Sequence, residues 1–390
     1  MKFSELNIDK NILKSLSEMG FTDMTDIQEK TLPVAMKGDD LIAQAMTGSG
    51  KTAAFGIPIV QHVEHGKGVQ SIVLTPTREL AVQVATEIKK FSKNSHLRTA
   101  MVYGGVSIEP QIFELRNAEI VVGTPGRVLD HMQRGTIKLT KIKILVLDEA
   151  DRMLDMGFID DIRRIISALP ENRQTMLFSA TMPDEIVYIA KRYMKNPMRI
   201  KTQIHISKHL LKHIYYDVKH DEKLSVLSGL IEKEKPSLAI VFCGTRRMAN
   251  VVERYLQNAK IEARAIHGGL TQQQRSHVLD GFHRGRPHIL VATDVAARGL
   301  DIKNVSHIFN FDVPKTAEDY THRTGRTARF GKTGKAMTIL SKEDHEAFRR
   351  ILRYIEIERG TLNFKPVPVR MHSGNRERGP RRRFGNSWER

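Results

Sequence analysis

The sequence predicts an α/β protein built as two successive units, each a mostly parallel sheet flanked by helices. Three observations carry this expectation. Short β-rich apolar runs recur along the chain with helical patterns between them, as parallel strands joined by crossover helices require. The segments richest in Gly, Asp, Thr and Arg fall at the carboxyl ends of those runs, where open α/β sheets bind ligands. A chain of 390 residues also exceeds what one hydrophobic core comfortably serves.

In the first half the runs are Asp40 to Ala45, Ser71 to Thr75, Thr99 to Tyr103, Glu119 to Gly123, Ile144 to Leu147 and Thr175 to Phe178. The pattern pauses from Thr202 to Lys212. It resumes at Ile214 to Val218, Leu238 to Phe242, Glu262 to Ile266, His288 to Ala292, His307 to Phe311 and Ala336 to Leu340. The expected organisation is a first domain over 1–202, a linker over 203–212, a second domain over 213–364 and a tail over 365–390. No short-period repeat is visible, although the halves could be structural duplicates whose sequences have diverged.

The formal charge of +18 favours a polyanionic partner, because Lys and Arg that neutralise phosphates release condensed counterions. Cys243 is the single cysteine, which excludes an intramolecular disulfide and a Cys-based zinc site. No stretch reaches transmembrane length and the first residues lack the apolar core of a signal peptide, so a cytoplasmic location is expected. From Met371 to Arg390 six Arg stand against two Glu, with Phe384 and Trp388 interspersed. That composition predicts disorder and suits a nonspecific RNA tether.

Two segments together read as an ATP-hydrolysing site. Thr47-Gly48-Ser49-Gly50-Lys51-Thr52 lies between a strand and a helix, where a Gly-rich turn offers backbone N–H groups to phosphate oxygens. Lys51 adds a mobile positive charge, and the Thr52 hydroxyl can ligate Mg2+. Asp148-Glu149-Ala150-Asp151 follows the run Ile144 to Leu147. There Asp148 can hold the hydrated metal and Glu149 can orient or deprotonate the attacking water. The generic phosphate-loop pattern begins with Gly where this chain has Ala45. The second half has no such loop and is expected to complete a shared site.

At this point the chain resembles the DEAD-box RNA helicases from Phe3 to about Phe364, on many motifs in order. The resemblance implies two tandem RecA-like domains, ATP as substrate with Mg2+, and RNA as partner. Gly20-Phe21, Thr25 and Ile27-Gln28 are similar to the family's adenine-reading motif, with Phe21 against the base and Gln28 on its edge; Asp26 stands where the family usually has Pro. Ala45 to Thr52 matches the family's phosphate motif, which often begins with Ala, and Met46 replaces the commoner Gln. Carried over residue by residue, Lys51 contacts the distal phosphates, Thr52 and Asp148 hold magnesium, and Glu149 positions water. Asp151, Ser179, Thr181 and His322 would couple nucleotide state to the cleft. Asp301 would meet the ribose, and Arg326 and Arg329 resemble arginine fingers, whose forks suit a transferring phosphoryl group. Thr324 and Ala328 replace the commoner Ile and Gly beside them.

The same resemblance implies RNA contacts at Pro76, Thr77, Arg78, Glu79, Leu80, Gly104, Gly105, Thr124, Pro125, Gly126 and Arg127 in the first domain. In the second it implies Thr245, His267, Gly268, Gln272, Arg275, Thr293 and Arg298. The Arg, Thr and Gly among these are phosphate and sugar donors, and the set lacks a row of aromatic platforms, so backbone recognition with little sequence preference is expected. The bland readings are a surface stripe for Arg323, Arg326 and Arg329, structural ion pairing for Arg78, Arg127, Arg275 and Arg298, and core packing for Cys243, Met153, Met156 and Phe158. His205, His209 and His213 have helical spacing but no Cys or carboxylate among them, and are read as solvated rather than metal-binding. The function implied is an RNA-dependent ATPase that closes on single-stranded RNA. The alternatives are an ATP-gated RNA clamp or scaffold and a translocating DNA helicase.

Overall fold

The computed structural model describes residues 1–45, 48–202, 210–297, 305–328 and 333–369. Fourteen strands form two sheets, and every pairing within them is parallel. The first sheet contains β1 (Leu41–Gln44), β2 (Ser71–Leu74), β3 (Thr99–Val102), β4 (Ile120–Gly123), β5 (Ile144–Leu147), β6 (Gln174–Ser179) and β7 (Met198–Lys201). The second contains β8 (Leu211–Asp217), β9 (Ala239–Cys243), β10 (Ala263–Ile266), β11 (Ile289–Thr293), β12 (His307–Asn310), β13 (Gly334–Leu340) and β14 (Glu358–Arg359). The strand orders are β3-β4-β2-β5-β6-β1-β7 and β10-β11-β9-β12-β13-β8-β14. Adding seven to each strand of the first order yields the second, so the two lobes are structural duplicates.

Each sheet is apolar on both faces because helices cover both. In the first lobe Val73, Val122, Val146 and Phe178 pack on one side with the helix Lys51–His62, while Ile72, Leu74, Val121, Leu145 and Leu147 face the other. The period-two alternation of a strand thus feeds two separate cores, which is why these strands read as continuous apolar runs. Side-chain caps fix where the helices begin. Thr77, Thr245, Thr271 and Thr316 each accept a hydrogen bond from a backbone N–H in the first turn of the following helix.

The outer parallel strands β3 and β10 have no neighbour on one side, and helix side chains occupy their outward backbone groups. Tyr103 N, just past β3, donates to Gln111 Oε1 at 3.2 Å; on β10, Ala265 N donates to Glu253 Oε1 at 3.0 Å and Ala263 O accepts from Gln257 Nε2 at 3.0 Å.

Three expectations need correction. Strands β7 and β14 were not apparent in the sequence, because at the sheet edge only Ile200 of β7 is buried and both residues of β14 are exposed. Strand β8 begins at Leu211, inside the stretch expected as linker, since Leu211 is buried in the second core. The tail does not begin at 365: Phe364 packs over Gly229, Val367 N donates to Ser225 Oγ at 3.0 Å, and Val369 N to Asp221 O at 2.8 Å. The expected tether from Met371 onward, and His205 and His209, lie outside the described residues. His213 sits in β8 with Nδ1 3.1 Å from the Tyr320 hydroxyl. Among the described residues no helix is long and apolar enough to cross a membrane.

Candidate functional site

The first half of the site forms at the carboxyl ends of β1, β5 and β6. Gly48 and Gly50 have φ of 84° and 96°, a region that strains any residue with a Cβ, and Gly50 directly precedes the helix Lys51–His62. The turn therefore combines backbone N–H groups with the positive end of a helix. It is clamped from outside. Thr25 Oγ1 donates to Ser49 O at 2.8 Å, Gln28 Nε2 donates to Gly50 O at 3.0 Å, and Gln28 Oε1 accepts from Thr25 N at 2.9 Å. A Cβ on Gly50 would come within 2.5 Å of Gln28 Nε2, so that position needs glycine for room as well. Asp26, the departure noted in the sequence, is the first residue of the helix Asp26–Ala35 and pairs with Lys30 at 2.7 Å, leaving this turn intact. Phe21 lies 6.4 Å from the Phe3 ring and 6.3 Å from that of Phe91, between centroids. Phe21, Gln28, Lys51, Thr52, Asp148 and Glu149 all line one cavity of about 310 Å³.

Charge inside this cavity is poorly compensated. Buried Lys51 donates Nζ to Ala45 O at 3.2 Å and stands 3.9 Å from Asp148 Oδ1. Asp148 Oδ1 and Glu149 Oε1 are buried and accept no hydrogen bond. Burial raises the Asp148 carboxyl to about 6; Lys51 opposes the shift and Glu149 adds to it. Glu149 has φ 53° at the start of the short helix Ala150–Asp155, where its Oε2 accepts from Arg152 Nη1 at 2.7 Å. Burial alone would raise its carboxyl, but Arg152, Lys51, Arg326 and His322 together hold it below the ordinary range. Two of those groups belong to the second lobe.

Opposite Glu149, burial pushes the His322 imidazole down to about 4, with Arg152 and Arg326 adding and Asp151 and Glu149 opposing. It is therefore neutral at pH 7. Arg326 is buried and lines the same crevice as Arg152 and His322. Arg323 is fixed by its own lobe: it forks onto Asp294 at 2.6 and 2.8 Å, donates to Asp312 O at 2.6 Å and lies over the Phe242 ring. Burial of Arg323 and Arg326 excludes a surface stripe. Thr47, Asp301 and Arg329 lie outside the described residues.

Asp151 joins this chamber to β6. Its Oδ2 accepts from Ala180 N at 3.1 Å, Thr181 N at 2.8 Å and Thr181 Oγ1 at 3.0 Å, while Asp151 N donates to Ser179 Oγ at 3.1 Å. These bonds tie the Asp148–Asp151 turn to Ser179–Thr181.

A groove of about 520 Å³ runs between the lobes on another face. From the first lobe Pro76, Thr77, Arg78, Gly104, Thr124, Gly126 and Arg127 line it, and from the second Gly268, Gln272 and Arg275. Arg127 Nη1 is buried there without a hydrogen-bond partner, although Nη2 donates to Val106 O at 3.1 Å. Pro125 is buried at the start of the helix Pro125–Gln133. Gly105, at φ 79°, has no room for a Cβ because the Arg78 guanidinium covers it at 1.8 Å. Thr245 caps a helix, and Thr293 is buried at the end of β11. The ring of His267 is used internally: Nε2 bonds Asn250 Oδ1 at 2.8 Å and Nδ1 accepts from Gly269 N at 3.1 Å, so it braces the loop that carries Gly268. Arg298 lies outside the described residues.

Arg246 was not singled out in the sequence, and Glu79, expected as an RNA contact, has partners in the opposite lobe. Glu79 binds both Arg275, at 3.0 Å, and Gln272, at 3.3 Å, across the cleft. Arg246 covers Gly268 as Arg78 covers Gly105, each following a capping Thr in corresponding segments of the two lobes. The Thr-Arg pair repeated after β2 and β9 was the available signal. Met153 is core as expected, but Met156 is 36% and Val295 60% exposed, and both line the groove with Phe158.

Comparison with known proteins agrees with this geometry. The DEAD/DEAH box helicase family matches residues 25–189, and the helicase conserved C-terminal domain matches residues 222–331. The chain is 49% identical to the ATP-dependent RNA helicase CshA of Listeria monocytogenes over 88% of its own length and 66% of that protein. It is 46% identical to the DEAD-box ATP-dependent RNA helicase CshA of Bacillus cereus, over 90% and 67%. It thus spans about two thirds of the length of these relatives. Among solved structures, Saccharomyces cerevisiae Dbp5 bound to RNA and ADP BeF3 is 34% identical with a TM-score of 0.82, covering 92% of this chain and 95% of that one. A DEAD box protein from Methanococcus jannaschii is 42% identical with a TM-score of 0.56, covering 93% and 99%.

Proposed function

The chain belongs to the DEAD-box family of ATP-dependent RNA helicases, and from that premise we propose that it is an RNA-dependent ATPase that locally opens short RNA duplexes by closing its two lobes on one strand. The observation that carries this reading is the placement of His322 and Arg326 of the second lobe against Glu149 of the first. Arg152, which holds Glu149 Oε2, lines one crevice with these two second-lobe residues, so the surroundings of the hydrolytic carboxylate are completed only by the joined lobes. The higher TM-score against the less identical, RNA- and ADP BeF3-bound relative also supports a joined arrangement.

In this mechanism the phosphate turn binds the distal phosphates through backbone N–H groups and Lys51. Glu149, oriented by Arg152, holds the attacking water on its unoccupied Oε1. Arg326 supplies charge to the transferring phosphoryl group from the opposite lobe. Asp148 Oδ1, buried without a donor, together with the Thr52 hydroxyl, fits Mg2+. When bound, the ion neutralises phosphate charge. Asp151 carries the change in this chamber to Ser179–Thr181. The groove grips backbone, since its lining is Arg, Thr and Gly.

Magnitudes limit the opening to short duplexes. Stacking costs about 1.4 kcal/mol per step, so five pairs cost about 7 kcal/mol. Micromolar binding supplies about 8 kcal/mol. A series of duplexes of increasing length tests this: unwinding should fall steeply with length, and efficient opening of long duplexes by single molecules would overturn it.

A further inference from the structure

The helix Gln272–His283 presents Gln272 and Arg275 to the groove, and its next turns line a separate cavity of about 480 Å³ through His277 and Gly281. From Arg275 to Gly281 the helix advances only about 9 Å, so the two recesses lie on successive turns of one helix. Three permanent cations, Lys260, Arg264 and Arg286, face this cavity with a single carboxylate, Glu262. All three are exposed, and among the described residues none of them forms an ion pair. Some cations of this lobe are neutralised by a carboxylate, as Lys335 is by Glu234 at 2.6 Å and Lys212 by Glu358 at 3.3 Å, whereas these three converge on one concavity without such a partner. Like charges gathered around a concavity raise its potential and concentrate anions there.

The adjoining sheet edge narrows the choice of anion. Glu253 and Gln257 already occupy Ala265 N and Ala263 O of β10, so a peptide strand would find those backbone groups taken. A nucleic-acid backbone needs no such groups, only cations at the spacing of its phosphates. We propose that this cavity is an accessory RNA phosphate site, holding nucleotides that leave the groove along the second lobe. The proposal rests on the reading of the groove as the RNA path.

The test compares the full chain with the triple variant Lys260→Gln, Arg264→Gln, Arg286→Gln, each loaded with a non-hydrolysable ATP analogue. Binding is measured to a single strand of about six nucleotides, which the groove alone accommodates, and to one of about twenty. The variant should bind the short strand as wild type does and the long strand about tenfold more weakly. Its log–log salt slope on the long strand should be shallower by about 2. Wild-type affinity and slope on the long strand overturn the proposal and leave the cavity to another kind of partner. Equal weakening on both strands overturns it too. A wild-type chain that failed to bind the short strand would instead remove the groove reading beneath it.

Discussion

Arg275 Nη2 stands 3.0 Å from Glu79 Oε1, joining a helix of the second lobe to one of the first, with both side chains largely buried. Gln272 Nε2 donates to the same oxygen at 3.3 Å. Glu79→Ala leaves Arg275 without its partner and removes this link while touching neither catalytic carboxylate. Breaking a fully buried pair costs about 3–5 kcal/mol, and this one, at the groove wall, should cost about 2. The enhancement of ATP binding by saturating RNA should therefore fall roughly 30-fold while each ligand alone binds as before. Unaltered coupling would show that the link does not hold the lobes together.

Glu149→Gln keeps the shape of the side chain and an acceptor for Arg152 but removes the charge that Arg152, Lys51 and Arg326 stabilise. Turnover should drop by about 10²–10⁴ with ATP and RNA affinities nearly unchanged. Single-turnover kinetics beside equilibrium binding separate the two, and a wild-type rate would refute the role.

Asp148 and His322 give opposite pH signatures. Asp148 is raised to about 6, so its contribution to stability is greatest below its ordinary range near 3.8 and is lost as pH rises through about 6. His322 is lowered to about 4, so its contribution is present above 6.5 and is lost as pH falls through about 4. The two offset each other between about 4 and 6. Asp148→Asn should make Tm fall more steeply on acidification across this window, and His322→Asn less steeply. Parallel Tm profiles for the two variants would contradict the assignment.

Gly105→Ala adds a methyl at φ 79° where the Arg78 guanidinium already lies 1.8 Å away. Arg78 must move off the groove wall. Apparent RNA affinity in the ATPase assay should weaken about tenfold, equivalent to about 1.4 kcal/mol, with KM for ATP unaffected at saturating RNA. If ATP binding suffers instead, the strain has spread beyond the loop.

The sheets were legible in the sequence because buried parallel strands are apolar on both faces, and Ile144 to Leu147 can be read without any partner. β7 and β14 were not, since β7 buries only Ile200, both residues of β14 are exposed, and the two strands are held by backbone pairing. The phosphate turn and the acidic turn were legible because their chemistry lies within a few consecutive residues. The pairing of Glu79 with the second lobe and the place of Arg246 were not, because they come from a partner far away in the chain or from correspondence between lobes. The histidine at 267 illustrates the converse: proximity to a functional loop did not reveal that both ring nitrogens turn inward.

The identical strand order of the lobes has a consequence for directionality. Gly104 and Gly268 line the groove and follow corresponding strands, and Thr77 and Thr245 cap corresponding helices, so under the proposed reading the two lobes offer RNA equivalent half-sites. Repeated grips of the same hand engage a phosphodiester chain in the same 5′-to-3′ sense. A strand entering with reversed polarity would be mismatched to both grips at once, and the complementary strand of a duplex necessarily has that polarity.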